Sequence, residues 1–439
     1  MDKSEFIPYL CLWIVAAGAI VWKTWSSAGA GLVLSYCFQM FLLYWMGGLI
    51  HALPWSDLPE TDYVLLGLQR STYGIIAFAI GSLAAGPWIA RKLQANQPPQ
   101  VPDPKLAGLL IRLGLVFYFI LGPTLGRLPG LNAVGAVGSQ FVVVGISLNC
   151  WCSWLSGGAR ALLKSLAPAL LIPAATLLTQ GFMSYGVIAL STVMIFSAQF
   201  FRPRWILLLG GILSGYVGLS GYVAYMRDRD ELRAAIWGGD SMSDRISRAR
   251  ETLQNTEWFD WRNPYHLSFV DGRLNQLAIA GAAVTNLSNT GDYAKGSTLI
   301  DAAVNMIPRI IWPSKPITAG SGDLAHRFTG NDYAQGTSVG VGPVLELYGN
   351  FGDPGIWIGF VVLGCIIKAI DVMAGFHLHN GTWLEFANWY LVGISLLNVS
   401  GQFVECTAAA MASLVLARIL AAMLKKSRRE KLLPDLITG

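Results

Sequence analysis

Between Asp301 and Gly355 the chain spaces side chains that could grip an anion and move a proton. The run Ile307-Pro308-Arg309-Ile310-Ile311-Trp312-Pro313-Ser314-Lys315-Pro316 sets two cations among three prolines. Each proline fixes its own φ and lowers the freedom of the loop, so Arg309 and Lys315 would be held in place. A glycine-rich stretch with Asp323, His326 and Arg327 follows, then Glu346-Leu347-Tyr348-Gly349-Asn350-Phe351-Gly352-Asp353. Guanidinium groups bind phosphate oxygens in pairs, and a carboxylate or imidazole can take a proton from a hydroxyl. Rings such as Trp312 and Tyr348 can pack on a sugar. The combination suits an anionic headgroup with a polar acceptor beside it. There is no glycine-rich phosphate loop ending in Gly-Lys-Ser or Gly-Lys-Thr and no paired metal-ligand histidine motif. The five histidines, His51, His266, His326, His377 and His379, are scattered. An ATP-driven pump and a metalloprotease are therefore disfavoured, and neither a metal nor a cofactor is expected.

The elements that must position these groups are membrane helices. Of 439 residues, 54% are hydrophobic and 13% charged, against about 25% charged in an average soluble domain. The mean hydropathy is +0.49, and 16 Trp with 48 Gly suit helices packed in lipid. Eleven segments approach the roughly 20 apolar residues that a span requires: 6–22, 28–50, 63–89, 106–127, 131–154, 161–179, 182–200, 205–226, 354–374, 384–401 and 404–424. Residues 227–340 hold 12 basic and 13 acidic side chains, so a single hydrophilic segment interrupts the apolar chain. The fold expected is all-α and polytopic, with about 11 transmembrane helices and one large, mainly helical exterior loop. Its parts are an N-terminal bundle (1–226), the loop domain (227–340), C-terminal helices (341–424) and a basic cytoplasmic tail (425–439).

Sidedness follows from Lys and Arg in short loops. With the tail Lys425, Lys426, Arg428, Arg429 and Lys431 cytoplasmic, Lys23, Arg91, Lys92, Lys105, Arg160, Lys164, Arg202 and Arg204 fall on the same side. The opposite loops carry Asp57, Glu60, Asp62 and, of the basic residues, Arg127 alone. The N-terminus is then outside and residues 227–340 lie on the exterior face. Lys3, the apolar run after it and Ala28-Gly29-Ala30 loosely resemble a secretion signal, but Asp2, Glu5 and the interrupting Trp residues favour an uncleaved span. The net charge of +5 resides in short loops and the tail, and no nucleic-acid partner is expected. Cys11, Cys37, Cys150, Cys152, Cys365 and Cys406 all lie in or beside apolar runs, so no disulfide framework holds the loop. The Pro-rich stretch 97–104 reads as a cytoplasmic linker.

Within the loop, helices are expected over Asp244–Leu253, capped by Ser241 or Ser243, over Leu274–Leu287 after a break at Asp271-Gly272, and over Thr298–Met306. Trp258, Phe259, Trp261 and Tyr265 cluster between the first two. They read as an interfacial belt or loop core, with a sugar-stacking platform as the alternative. Arg70, in the expected third span, is costly in lipid. It either pairs with a carboxylate or helix carbonyls, or faces a lipid diphosphate. Arg112 reads as an anchor, and Glu405 opens the last span.

The run Pro308–Pro316, with Glu346, Tyr348 and Asn350-Phe351-Gly352, resembles the oligosaccharide repeat-unit polymerases, the Wzy-type O-antigen and exopolysaccharide polymerases. Arg273-Leu274-Asn275-Gln276 is similar to the Arg-containing segment of their large exterior loop. The similarity covers residues 270–355; elsewhere only the layout matches. The resemblance implies a metal-independent, GT-C-like membrane glycosyltransferase of the bacterial inner membrane, its loop in the periplasm. Its substrates would be undecaprenyl-diphosphate-linked oligosaccharides, and a chain-length-determinant protein would be a plausible partner. Under it, Arg273, Arg309, Arg327 and Arg70 would bind diphosphate with support from Lys315. Glu346 or His326 would be the general base, and Tyr348 and Trp312 would meet sugar. An O-antigen ligase shares this architecture, and a flippase is the non-enzymatic alternative.

Overall fold

The computed structural model describes residues 2–24, 29–93, 104–125, 132–201, 204–309, 311–316, 318, 320–334 and 337–437. Among them all regular structure is helical. The first half comprises α1 (Phe6–Thr24), α2 (Leu32–Ala52), α3 (Thr61–Lys92), α4 (Pro104–Leu125), α5 (Asn132–Ser139), α6 (Phe141–Leu166), α7 (Ile172–Gln180), α8 (Ser184–Ala198) and α9 (Arg204–Trp237). The second comprises α10 (Met242–Gln254), α11 (Pro264–Leu274), α12 (Leu277–Thr290), α13 (Ser297–Asn305), α14 (Ser321–Thr329), α15 (Gly342–Phe351), α16 (Asp353–His379), α17 (Trp383–Ser395) and α18 (Phe403–Ile437). Among the described residues seven helical runs are long and apolar enough to cross a membrane, by length and composition. Residues 133–154 and 161–179 of two expected segments fall within one helical run, Ala133–Gln180, which turns at Gly158 (φ 61°). α8 and α17, at 15 and 13 residues, are shorter than an ordinary span. The Pro-rich stretch 97–103 lies outside the described residues.

α3 is the axis of the bundle. A Cβ at Gly81 would strike the Val361 carbonyl, and one at Gly364 would stand 2.5 Å from the Phe78 carbonyl oxygen, so α3 and α16 touch backbone to backbone. α12 lies on another side of α3 in the same manner, with Gly67 against Leu277 O and Gly281 against Tyr63 O. Lipid offers no hydrophobic drive for helices to associate, and small residues that allow close approach supply dispersion contacts instead. The start of α2 docks on α16. Buried Asp371 accepts the N–H groups of Ala30 (2.9 Å) and Leu32 (2.8 Å), and Lys368 Nζ stands 3.6 Å from its other oxygen. These are N–H groups that a helix start cannot satisfy by itself.

In the charged segment, Ser241 caps α10 by accepting the Asp244 N–H, in accord with the sequence. Asp271-Gly272 does not break a helix; it lies in the last turns of α11, and the break comes at Asn275-Gln276. The side chain of Asn275 bonds the Leu277 N–H (2.9 Å), a turn that competes with helix continuation. The Gly364 contact gives a direct test. Gly364→Val is expected to destabilise the chain by about 1–3 kcal/mol, seen as loss of monodisperse protein and a lower melting temperature in detergent. Gly218→Val, at a position open to its surroundings, should behave like the wild type.

Candidate functional site

Where the apolar part of α9 gives way to Arg227-Asp228-Arg229-Asp230-Glu231-Leu232-Arg233, helical spacing puts Tyr222, Tyr225, Arg229 and Arg233 on one face. The last turn of α11 brings Arg273 to that face, and the charges of Arg273, Arg229 and Arg233 all act on the Tyr222 phenol. Three guanidinium groups from two helices are thus near enough for their charges to act on one phenol. Arg233 donates Nε–H to Gly181 O (3.2 Å) and lies over the rings of Phe182 (4.5 Å) and Trp237 (5.4 Å). Tyr225 donates its hydroxyl to the same carbonyl (2.9 Å). Burial above all, with the like charges of Arg229 and Arg273, holds the Arg233 guanidinium below its ordinary value, and Tyr225 opposes the shift.

Among the described residues the cluster has fewer carboxylates within 4.0 Å than guanidinium groups. The carboxylate beside Arg229 is the exposed Asp230, at 3.9 Å. Among the described residues neither Arg233 nor Arg273 has a carboxylate within 4.0 Å. Arg229 Nε and the Tyr222 hydroxyl are buried with no hydrogen-bond partner. Buried donors without acceptors are costly, and an arrangement of this kind is suited to an oxyanion that accepts from several guanidinium groups at once.

Arg273 is positioned by what surrounds it. Two residues earlier, Asp271 accepts from Asn275 Nδ2 (2.6 Å) and faces His51 Nε2 (2.9 Å); His51 Nδ1 faces Thr61 Oγ1 (3.2 Å). Gln276 donates its N–H to Leu43 O (2.9 Å), a carbonyl inside the π-helical turn Phe41–Trp45 of α2. π turns widen a helix and recur at functional sites. Beneath lies a small apolar core of Ile50, Val223, Phe259, Leu267 and Val270. The segment Arg273–Gln276 is therefore clamped between α2 and α12.

The other sequence-derived candidates are spread over the molecule. Arg70 pairs with Asp353 (Nε–Oδ1 3.2 Å, Nη2–Oδ2 3.5 Å), lies 5.8 Å from the Tyr348 ring centre and touches Gln69, which is the carboxylate-paired reading. Tyr348 is buried, its hydroxyl 3.3 Å from Ser288 Oγ. In the proline loop, Arg309 donates to Lys315 O (2.9 Å) and Pro316 O (3.4 Å). Lys315 is buried and donates to Asn305 Oδ1 (2.5 Å) and Ile307 O (3.1 Å). Burial, then the Arg309 charge, holds its ammonium below the ordinary value. Both cations fold the loop onto itself, and Trp312 donates to Ser314 Oγ (3.1 Å). Arg327 and His326 are exposed; His326 Nδ1 lies 3.0 Å from Asn331 O. Arg229, Arg233 and Tyr222 were not singled out in the sequence, and His51 and Asp271 were read there only as a scattered histidine and part of a helix break. The Arg229–Arg233 spacing of four on a helix was their one legible signal.

Glu346 is fully buried in α15. Its Oε2 accepts the Phe403 N–H at the start of α18 (2.8 Å), while Oε1 has no hydrogen-bond partner. Burial, above all, raises its carboxyl to about 7; the neighbouring Glu405 and Asp301 add to this, and Phe403 N–H and Thr298 oppose it. Among the described residues no three His, Cys, Asp or Glu side chains gather in a set that could hold a metal ion.

This arrangement, an anion-receptive arginine cluster on an all-helical scaffold with seven helices long and apolar enough to cross a membrane, sits inside the stretch that a family model matches. The chain belongs to the family described as Domain of unknown function (DUF8712), which matches residues 68–387 and so includes α9, α11 and Glu346. No curated protein and no solved structure matches the chain.

The Glu346 carboxyl has a measurable consequence. Its value rises on folding from 4.5 to about 7, so the folded chain holds a proton that the unfolded chain releases. The stabilisation is fully present below pH 4.5 and is lost as pH rises through about 7, by on the order of 3 kcal/mol. Glu346→Gln should flatten this part of the pH–stability profile, measured by thermal unfolding between pH 5 and 8. An unchanged slope in the variant would assign the dependence to another group.

Proposed function

We propose that this chain is a membrane glycosyltransferase that polymerises lipid-diphosphate-linked oligosaccharide repeat units. The observation that carries the reading is that the charges of Arg229, Arg233 and Arg273 act on one phenol, with fewer carboxylates than guanidinium groups beside them among the described residues. The transfer needs this arrangement. The acceptor hydroxyl oxygen bonds to the anomeric carbon of the donor chain, the carbon–oxygen bond to the diphosphate breaks, and the electron pair leaves on the diphosphate. Fixed guanidinium groups stabilise the charge as it develops. The resemblance of Arg273-Leu274-Asn275-Gln276 and of residues 308–316 and 346–352 to the repeat-unit polymerases supports the same chemistry. Undecaprenyl diphosphate would be the carrier.

The acceptor proton must go to a base. Glu346 is favoured over His326 by placement. A side chain at Gly342 would lie 3.6 Å from Gln276 Oε1, three residues from Arg273, and Glu346 is one helical turn (about 5.4 Å) further on. His326 belongs to α14, whose Phe328 bonds Asn286, ten residues along α12 from Gln276 and so about 15 Å away. A carboxyl near 7 is also matched to proton exchange at neutral pH. Its enclosure requires the Phe403 end of α18 to open for the acceptor. Arg70, Arg309 and Lys315 act as scaffold cations in this scheme, because their donors already have partners in the chain.

In the membrane this reading takes all eleven apolar segments as spans of a bacterial inner membrane. The N-terminus is outside, the C-terminus cytoplasmic and residues 227–340 periplasmic, as the loop charges favour. The test is a gel profile of surface and lipid-linked glycans from a strain lacking the chain. Surface glycan stopped at a single repeat unit is the expected result. Long polymer retained on its lipid carrier would instead identify a ligase, and repeat units trapped on the cytoplasmic side a flippase. In complemented strains Arg229→Ala and Arg273→Ala should each reduce polymer by about 100-fold or more at normal expression. Lysine at either position should restore only part of it, since an ammonium lacks the paired geometry. Full polymer in both alanine variants would overturn the diphosphate role.

A further inference from the structure

On the side of α9 turned away from Arg229 and Arg233 is a second polar site. Val223, Ala224 and Arg227 fall on this face by the 3.6-residue turn. They form one wall of a cavity of about 250 Å³, which Glu257, Asn263, Tyr265, His266 and Phe269 complete from α11 and the segment before it. The size suits one sugar ring rather than a lipid or a peptide.

Its chemistry differs from that of the arginine cluster. Arg227 is already occupied: Nε donates to Asp228 Oδ1 (2.7 Å), Nη2 to Asp228 Oδ2 (3.0 Å) and Nη1 to Asn255 O (2.8 Å). Glu257 lies 3.9 Å from that guanidinium and is 68% exposed. With Asp228 neutralising Arg227, the Glu257 charge is left over, so a diphosphate would be repelled. His266 is buried and its Nδ1 accepts the Asp260 N–H (3.0 Å), so the ring proton sits on Nε2, 3.5 Å from Glu257 Oε2. The imidazole is thereby held in one tautomer and steadies the carboxylate, leaving Glu257 free to accept from hydroxyls. Asn263 uses its oxygen to cap α11 through the Tyr265 N–H (3.0 Å) and retains its amide donors. Tyr265, 73% exposed, and Phe269 supply apolar ring faces. A carboxylate acceptor, an amide donor and two aromatic faces around a ring-sized space are complementary to an uncharged pyranose, which is polar at its edge and apolar on its faces.

We infer that this cavity is a carbohydrate subsite that takes an uncharged pyranose of the lipid-linked glycan, on the side of α9 opposite the diphosphate cluster. The inference rests on the proposed polymerase reading for the identity of the glycan, and on the cavity for the contact. The probe is the oligosaccharide released by mild acid from lipid-linked repeat units of the organism that makes this chain. It is titrated against the full chain in nanodiscs by saturation-transfer NMR. Saturable binding is expected. Tyr265→Ala should weaken it by about tenfold and Glu257→Gln by about threefold, with melting temperatures unchanged because both side chains are exposed. No saturable binding, or binding unaltered in both variants, overturns the subsite. The polymerase reading fails separately, on the glycan profile of the deletion strain, so polymer lost in Arg229→Ala with unaltered glycan affinity in Tyr265→Ala would remove the subsite alone.

Discussion

Everything else in the bundle depends on how closely α3 is approached on two sides. Glycines at positions 67 and 81 of α3 meet the carbonyls of Leu277 and Val361, and the partner helices answer with Gly281 and Gly364. Water provides no apolar incentive for such contacts inside lipid, so they depend on dispersion between surfaces that fit. Where α16 is pressed onto α3, Asp353 comes within reach of Arg70 although 283 positions separate them. α12 is pressed onto the same helix, and its first residue, Leu277, is the one Gly67 touches. That contact fixes the point from which the Arg273–Gln276 segment departs.

From that point the positioning of the arginine cluster follows step by step. Gln276 is bound to the π turn of α2, Asn275 bridges to Asp271, and Asp271 faces His51 at the end of α2. α11 is therefore referred to the membrane bundle at its C-terminal end, the end that carries Arg273. α9 is referred to the bundle through Tyr225 and Arg233, both bonded to Gly181. Two independently anchored helices thus bring like charges together. Self-repulsion would drive flexible side chains apart, and holding them together uses stability. An anion bound between them would relieve that repulsion, as the proposed diphosphate role requires.

Much of the scaffold was legible in the residues. Apolar runs marked the helical regions, although eleven expected spans meet seven helical runs long and apolar enough to cross a membrane among the described residues; Ser241 marked the start of α10, and residues 227–340 hold no cysteine for a disulfide framework. Arg70 stood out as a costly charge in a span with two readings open, and the pairing observed is the one with a carboxylate, Asp353. The proline loop was harder. Its cations Arg309 and Lys315 donate to the loop's own carbonyls. Spacing along a chain does not say on which side of a turn a long side chain will find its acceptor. The Asp271-Gly272 pair has the composition of a break yet lies in a helix, because Asp271 is engaged by His51 and Asn275 and does not cap a turn. The arginine cluster unites residues 229, 233 and 273, and only tertiary packing could join the last to the first two.

The placement of Glu346 connects this scaffold to proton chemistry. Its charged form is supported by the Phe403 N–H and by the positive end of α18, which favours an anion at its start. Complete burial, and the nearby carboxylates Glu405 and Asp301, favour the neutral form. The two influences bring the group close to neutrality, where both forms are populated. A side chain needed only to cap α18 would be served by an amide, which carries an acceptor without the cost of burying a charge. A carboxyl with one oxygen committed to the helix and the other without a partner has, in addition, a proton to exchange. Under the proposed transfer, this carboxyl would take the proton of the acceptor hydroxyl as the anion departs.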